Sequence, residues 1–358
     1  MAEDWWIYRG TGVPHDGITR LPAAPAWRAF GEPGAEGAEL PPATAAAALT
    51  ARRLGKARQA AAYQADEREV QLVNLALHLR RPLLITGKPG VGKSTLAYAV
   101  ARELDLGPVL RWSISSRSTL RDGQYAYDAI GRLHEAGLWR EKDRRAERPD
   151  GRRRYGFDRA EPQEPPAIGR VLRLGPLGTA LLPWRTPRVL LIDEIDKSDI
   201  DLPNDLLNVF EEGEFEIPEL LRLGPGPQEV GTADQGRTAV VRGGVVRCTE
   251  FPLVVLTSNG ERDFPSALLR RCVRLEIQPP TEERLAAMVA AHLGEREATS
   301  RTTSVLIGEF LRRQREDGAE LANDQLLNAL LMAGRGLWDG GRGHDVLHDV
   351  LLRPLNES

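Results

Sequence analysis

The chain has 358 residues, of which 41% are apolar and 28% charged, and a formal net charge of −3. This is the composition of a globular chain of about two domains with material for a substantial core, and it argues against collagenous and bulk nucleic-acid-binding classes. The longest apolar runs, such as Val189-Leu190-Leu191-Ile192, have the length of a strand and fall far short of a bilayer, so no membrane segment is expected.

Residues 1–6 are acidic, with no cationic stretch before an apolar core, so no secretory signal is expected and the cytoplasm is the default compartment. Within 1–30, Trp5, Trp6, Tyr8, Trp27 and Phe30 crowd among prolines without a helical or strand period. Such a segment either packs as an extended strap on the body that follows or docks a partner. Gly, Pro, Ala and Glu dominate 31–48, which reads as a flexible linker. Helical periodicity starts near Ala43, strengthens over 69–79 and stops where Pro82 forbids it. A strand at 82–86, a glycine-rich loop at 87–94 and a helix over 94–104 follow, then a strand at 108–114. A long irregular stretch runs to about 188, patterned only at 120–136 and 170–174. Strands at 188–193, 253–258 and 273–277 alternate with helices at 202–212 and 265–270. After Pro279-Pro280 the period is helical throughout, at 282–293, 304–314, 324–333 and 344–352. Strands alternating with helices, then helices alone, predict an α/β domain with a parallel sheet over 49–278 and a small all-helical domain over 279–358, preceded by the segment 1–48.

Three runs carry chemistry. Gly87-Lys88-Pro89-Gly90-Val91-Gly92-Lys93-Ser94, set directly after an apolar strand, fits the phosphate-binding pattern G-x-x-x-x-G-K-[ST] and makes the sheet that of a P-loop NTPase. Its glycines let backbone N–H groups turn around the α and β phosphates, Lys93 reaches the β/γ oxygens, and Ser94 offers a hydroxyl to Mg²⁺. The helix that opens at Ser94 and Thr95 points its positive end at the anion. In the second run, the apolar residues 189–192 deliver Asp193 and Glu194 to the edge where ligands of open α/β sheets bind. Asp193 suits Mg²⁺ held through water, and Glu194 suits orienting and deprotonating an attacking water. The third run, 253–259, ends a buried strand in Asn259, which can bond the γ-phosphate or the lytic water; a plain turn residue before Gly260 is the competing reading.

These runs together resemble an AAA+ ATPase of the MoxR-like branch, over about residues 60–335. The carriers are 87–94 (Walker A), 190–194 (Walker B), 257–259 (sensor 1) and Leu268-Leu269-Arg270-Arg271-Cys272, with 173–182 and 205–212 also similar to MoxR-like chains. The resemblance implies an AAA+ core with a helical lid, a helix-2 insertion near 119–168 and a hairpin insertion near 214–250. It implies ATP with Mg²⁺ as cofactors, and an arginine finger at Arg271, or at Arg270, that reaches the γ-phosphate bound to a neighbour in a hexameric homo-oligomer. It further implies remodelling of a partner protein, often one with a von Willebrand factor A domain, and the aromatic N-terminal segment suits a bacterial multicomponent system such as a conflict or defence assembly. Two alternatives stay open: a McrB-like subunit of a nucleic-acid-processing complex, and a slowly hydrolysing nucleotide-gated scaffold. No N-K-x-D run follows the sheet, and such relatives do not require one, so the base is open between adenine and guanine.

The chain departs from the MoxR-like pattern at 322–327, where Gln325 stands in place of the sensor 2 arginine. A neutral amide cannot pair with phosphate as a guanidinium does, so lid closure is weakly coupled to the γ-phosphate or another arginine substitutes. Residues 140–159 hold nine basic against five acidic side chains. Without the interleaved aromatics of a stacking platform they read as a solvated loop, and nucleic acid is not the expected partner. His344 and His348 share a helix face but lack a third ligand at zinc spacing. Cys248 and Cys272 lie far apart with no C-x-x-C spacing and read as small buried residues of a reducing compartment.

Overall fold

The computed structural model describes residues 5–31, 37–42, 60, 63–146, 167–294, 298–316 and 321–335, with the backbone alone at 140–146, 291, 315, 316 and 324. The basic stretch beyond residue 146, the helix expected at 344–352 with His344 and His348, and the helical start near Ala43 lie outside the described residues.

Five strands, β1 (Leu83–Thr86), β2 (Leu110–Ser113), β3 (Val189–Asp193), β4 (Leu253–Ser258) and β5 (Val273–Glu276), form one sheet in the order β5-β1-β4-β3-β2, parallel throughout. Every residue of β3 and β4 is buried, which is why these strands read as unbroken apolar runs. Alternation still sorts their side chains: Leu84, Leu190, Ile192, Val254 and Leu256 enter one core, while Leu83, Ile85, Leu191 and Val255 enter the other. The register pairs Ile192 with Leu256 and Leu84 with Leu256, so the C-terminal ends of β1, β3 and β4 come out level. The phosphate loop, Asp193 and Asn259 therefore leave the sheet at the same edge.

Helix α1 (Glu67–Leu79) opens two residues before the strong periodicity because Asp66 and Glu69 form a reciprocal capping box, and it ends at Arg80 in the left-handed region, φ 51°. Helix α2 (Lys93–Glu103) begins directly on the phosphate loop, with Gly92 as its cap. Helix α3 (Asp201–Glu212) follows β3, and the short α4 (Ser266–Arg271) leads into β5. Helices α5 (Glu282–Leu293), α6 (Arg301–Glu316) and α7 (Asn323–Gly334) come last among the described residues and pack around a core of their own that includes Leu285, Val289, Phe310 and Leu326.

The stretch expected to be irregular is partly ordered by a second, six-stranded sheet. Tyr125–Tyr127 pairs antiparallel with Leu172–Leu174, which touches Pro227–Gly231 at Arg173 and Gly231. Pro227–Gly231 and Thr238–Arg242 form the antiparallel hairpin, so the two insertions of the core meet in one sheet.

The aromatic N-terminal segment lies along the body as a strap. The Asn74 side chain accepts from the backbone N–H of Ile7 and Tyr8 and donates to the Tyr8 carbonyl, while the buried Glu103 carboxylate accepts from the N–H groups of Arg9, Gly10 and Gly12. Ile7 and Tyr8 join the core beneath, and Trp27 stays 77% exposed. Where a flexible linker is expected, Ala38 pairs with the 183–185 backbone and forms a parallel bridge to Trp184.

Candidate functional site

The glycines of the phosphate loop are set by backbone geometry. Gly90 has φ +76°, and a Cβ there would lie 2.5 Å from the Cβ of Ala322 on the lid, so only glycine permits the loop and the start of α7 to touch. Gly92 has φ +101° and releases the chain into α2, whose first N–H groups have no intrahelical acceptor.

Lys93 lies at the centre of the site. Its Nζ donates to the carbonyls of Gly87 (2.7 Å) and Lys88 (2.8 Å) and to Oδ1 of Asn259 (2.7 Å), which ties the loop after β1 to the end of β4. Burial pulls its pKa below the usual lysine value, with the charges of Asp196, Asp193 and Glu194 opposing. Ser94 Oγ donates to Asp193 Oδ1 at 2.6 Å, and Thr257 Oγ1 donates to the same oxygen at 2.9 Å. The other oxygen of Asp193 accepts from Nε (3.0 Å) and Nη2 (2.6 Å) of Arg111 on β2. Burial alone would raise the Asp193 carboxyl, but the bonds from Ser94, Arg111 and Thr257 outweigh it and hold the group ionised, below the usual carboxylate range.

Glu194 follows Asp193 at φ 63°, ψ 51°, a left-handed conformation that is rare for a residue with a side chain and is held by its N–H donating to Thr257 Oγ1 (2.9 Å). Its carboxylate is half-exposed and meets Lys197 Nζ at 2.9 Å. Asn259 is aimed by Asp196, which is 2% exposed and accepts on one oxygen from Ser258 Oγ (3.0 Å), Asn259 N–H (2.8 Å) and Glu261 N–H (3.3 Å).

Pro89, Gly90, Val91, Gly92, Lys93, Ser94, Thr95, Asp193, Glu194 and Asn259 line one cavity of about 400 Å³. Its opposite wall comes from Tyr63 and from the lid residues Arg284, Leu285, Met288, Asn323 and Leu327. Gly87 and Lys88 serve through their carbonyls on Lys93. Arg270 and Arg271 are not part of this lining: Arg270 is exposed, and Arg271 is ion-paired with Glu211. A larger cavity, about 670 Å³, lies beyond β2 and shares Arg111, but it contains none of the phosphate-loop residues.

A family model for AAA domains of the dynein-related subfamily matches residues 82–272. The chain belongs to this AAA family. No curated protein matches the sequence. The match runs from the residue before β1 to the residue before β5, so it takes in the phosphate loop, both acids and Asn259. An AAA domain implies a bound nucleotide, typically with Mg²⁺, and the donors present fit that pair. The hydroxyl of Ser94 and the ionised carboxylate of Asp193 would offer hard oxygen ligands beside a glycine cradle and a lysine.

Several residues that build this AAA site carry no motif signal. Arg111, the exposed cation on an edge strand, is legible only as a charge next to the acid strand in the register. Asp196 reads as an ordinary polar neighbour, although it stands three residues after Asp193 in the same acidic run, and Thr257 lies inside the 257–259 run with nothing there to announce its bond to Asp193. Gln325, the expected occupant of the sensor 2 position, accepts the N–H of Ala322 at 2.8 Å and caps its own helix. The lid cation that lines the cavity is Arg284, whose guanidinium donates to both oxygens of Glu69 at 3.0 Å and lies 4.9 Å over the ring of Tyr63. Among the described residues, no group of three or more His, Cys, Asp or Glu is arranged to hold a metal, and no helix is long and apolar enough to cross a membrane.

Proposed function

We propose that this AAA domain protein is a MoxR-like ATPase that hydrolyses Mg-ATP between subunits of a homo-oligomeric ring and uses the motion of its lid to remodel a partner protein. The observation that carries the reading is the convergence of Lys93, Ser94, Asp193, Glu194 and Asn259 on one cavity whose far wall is the lid. Its polar end suits a triphosphate, and Tyr63, Leu285, Met288 and Leu327 suit a base. Lys93 takes the β/γ oxygens in place of its present carbonyl partners. Ser94 and Asp193 would hold Mg²⁺, whose charge offsets that of the phosphates. Glu194, once turned from Lys197, accepts the proton of the attacking water, and Asn259 fixes the water or the γ-phosphate. Arg270 and Arg271 stand outside the chain's own cavity, which supports their use on a neighbour's nucleotide.

Steady-state phosphate release by Glu194→Gln and Arg271→Ala tests the reading. Both variants are expected to lose turnover by about a hundredfold or more while still binding nucleotide. Unchanged release by Glu194→Gln would overturn it. A nucleotide-gated scaffold with slow turnover is favoured by one feature, the capping role of Gln325, which leaves the usual lid position without a cation. In that case the wild type assembles on ATP and both variants show little loss.

A further inference from the structure

Helix α3 carries an acid, Glu211, in its last turn, where the negative end of the helix dipole disfavours one. Two arginines from distant parts of the chain offset this. Arg271, the last residue of α4, donates from Nε to Glu211 Oε1 at 2.5 Å, and its Nη1 donates to its own helix at Ala267 O, 3.3 Å. Arg28, from the N-terminal strap, brings Nη1 within 3.8 Å of Glu211 Oε2. Arg28 has little freedom. It is 7% exposed, its guanidinium lies 4.9 Å from the ring centres of both Phe30 and Phe251, and its Nε and Nη2 donate to the Arg80 carbonyl.

The consequence falls on Arg271. A long exposed arginine ordinarily samples many rotamers, and ordering it costs free energy at the moment it is used. Here Nε and Nη1 are both engaged, and Nη2 is the nitrogen left without a partner among the described residues, on a side chain still 38% exposed. We infer that Glu211 is a positioning residue for hydrolysis, holding Arg271 extended so that its free Nη2 edge is presented to the nucleotide of an adjoining subunit, with Arg28 of the strap fixing Glu211 from behind. The inference rests on the trans-acting role given to Arg271 under the proposed function. It assigns the strap a part in the reaction besides packing, and it favours Arg271 over Arg270, which makes no comparable ion pair among the described residues.

The test compares wild type, Glu211→Ala, Arg271→Ala and the double variant in steady-state phosphate release across ATP and protein concentrations, with melting temperature as a check on folding. Loss of Arg271 is expected to lower kcat about a thousandfold. Loss of Glu211 is expected to lower kcat about tenfold at unchanged KM, because a finger that must find its own geometry still reaches it part of the time. The double variant is expected to match Arg271→Ala, since Glu211 acts only through Arg271. Glu211→Gln, which keeps an oxygen acceptor, is expected to recover part of the loss. If Arg271→Ala is impaired but Glu211→Ala turns over like wild type, or if the double variant falls below Arg271→Ala, the positioning role is wrong and the ring mechanism stands. If Arg271→Ala turns over like wild type, the trans arginine fails and the positioning role fails with it.

Discussion

Asp196 reaches neither the phosphate loop nor the expected metal ligands, yet it sets the end of β4. One of its oxygens takes three donors, from Ser258, Asn259 and Glu261, and the other is buried without a partner among the described residues. A group held that asymmetrically is sensitive to small changes. Replacing it with alanine removes the acceptor and leaves the buried Ser258 hydroxyl to find another partner, at about 1–3 kcal/mol if it finds none. Asp196→Ala should therefore lower the urea midpoint and also reduce turnover more than nucleotide affinity, because Asn259 loses its anchor while Lys93 keeps its carbonyls. Equal turnover at reduced stability would separate Asp196 from catalysis. The cysteines give a second measurable consequence. Burial pushes the thiols of Cys248 and Cys272 up to about 12 from an ordinary 9.0. The reactive thiolate fraction of the native protein thus stays small as the pH rises from 7 to 10, where a free thiol gains about tenfold per unit until its own pKa. Iodoacetamide labelling followed by mass spectrometry should find both sites protected in this window and both modified in denaturant. Rapid native labelling of either would show that its burial is transient.

The strap shows how much one element can take from two side chains. Asn74 on α1 and Glu103 at the end of α2 replace the strand partners that an extended segment would otherwise need, which lets the chain cross the body with its N–H groups satisfied. Glu103→Ala would leave the N–H groups of Arg9, Gly10 and Gly12 buried or half-buried without an acceptor, and a loss of about 2–4 kcal/mol with a melting transition several degrees lower is expected. A melting temperature equal to wild type would mean that the strap is dispensable to the fold. The chemistry of this site was legible in the sequence wherever it depends on one local pattern. The lysine of the phosphate loop, the acids after an apolar strand and the asparagine after another are each written in a single run. The contacts that tune them were not legible, because Arg111 and Asp196 act across 60 or more residues of chain through strand register. Periodicity placed the strands and helices of the core for the same reason, and although it marked 170–174 it did not show a second sheet, because strands of three residues, such as Glu214–Glu216 and Val245–Arg247, are too short to carry a period.

At the scale of the whole molecule, the lid is fastened to the core at Arg284. This residue lies in the first turn of α5, donates to both oxygens of Glu69 and covers Tyr63, whose hydroxyl donates to Glu69 at 2.9 Å. Glu69 is 1% exposed and also closes the capping box of α1, so the same carboxylate holds the start of that helix and the angle of the lid. Burial raises the Glu69 carboxyl, and the bonds from Arg284 pull it back. Breaking such a pair from the cation side leaves a buried charge with too few donors, at a cost of about 3–5 kcal/mol if nothing rearranges. The lid can rearrange, since it has its own core and meets the phosphate loop where Gly90 lies against Ala322. Arg284→Ala is therefore expected to release the lid rather than unfold the sheet. Nucleotide affinity should drop about tenfold or more as the far wall of the cavity withdraws, the maximum dimension from small-angle scattering should grow in the absence of nucleotide, and saturating ATP should reverse part of that growth. Scattering and affinity both unchanged in Arg284→Ala would mean that the Gly90–Ala322 contact and the lid's apolar face hold the closed arrangement by themselves.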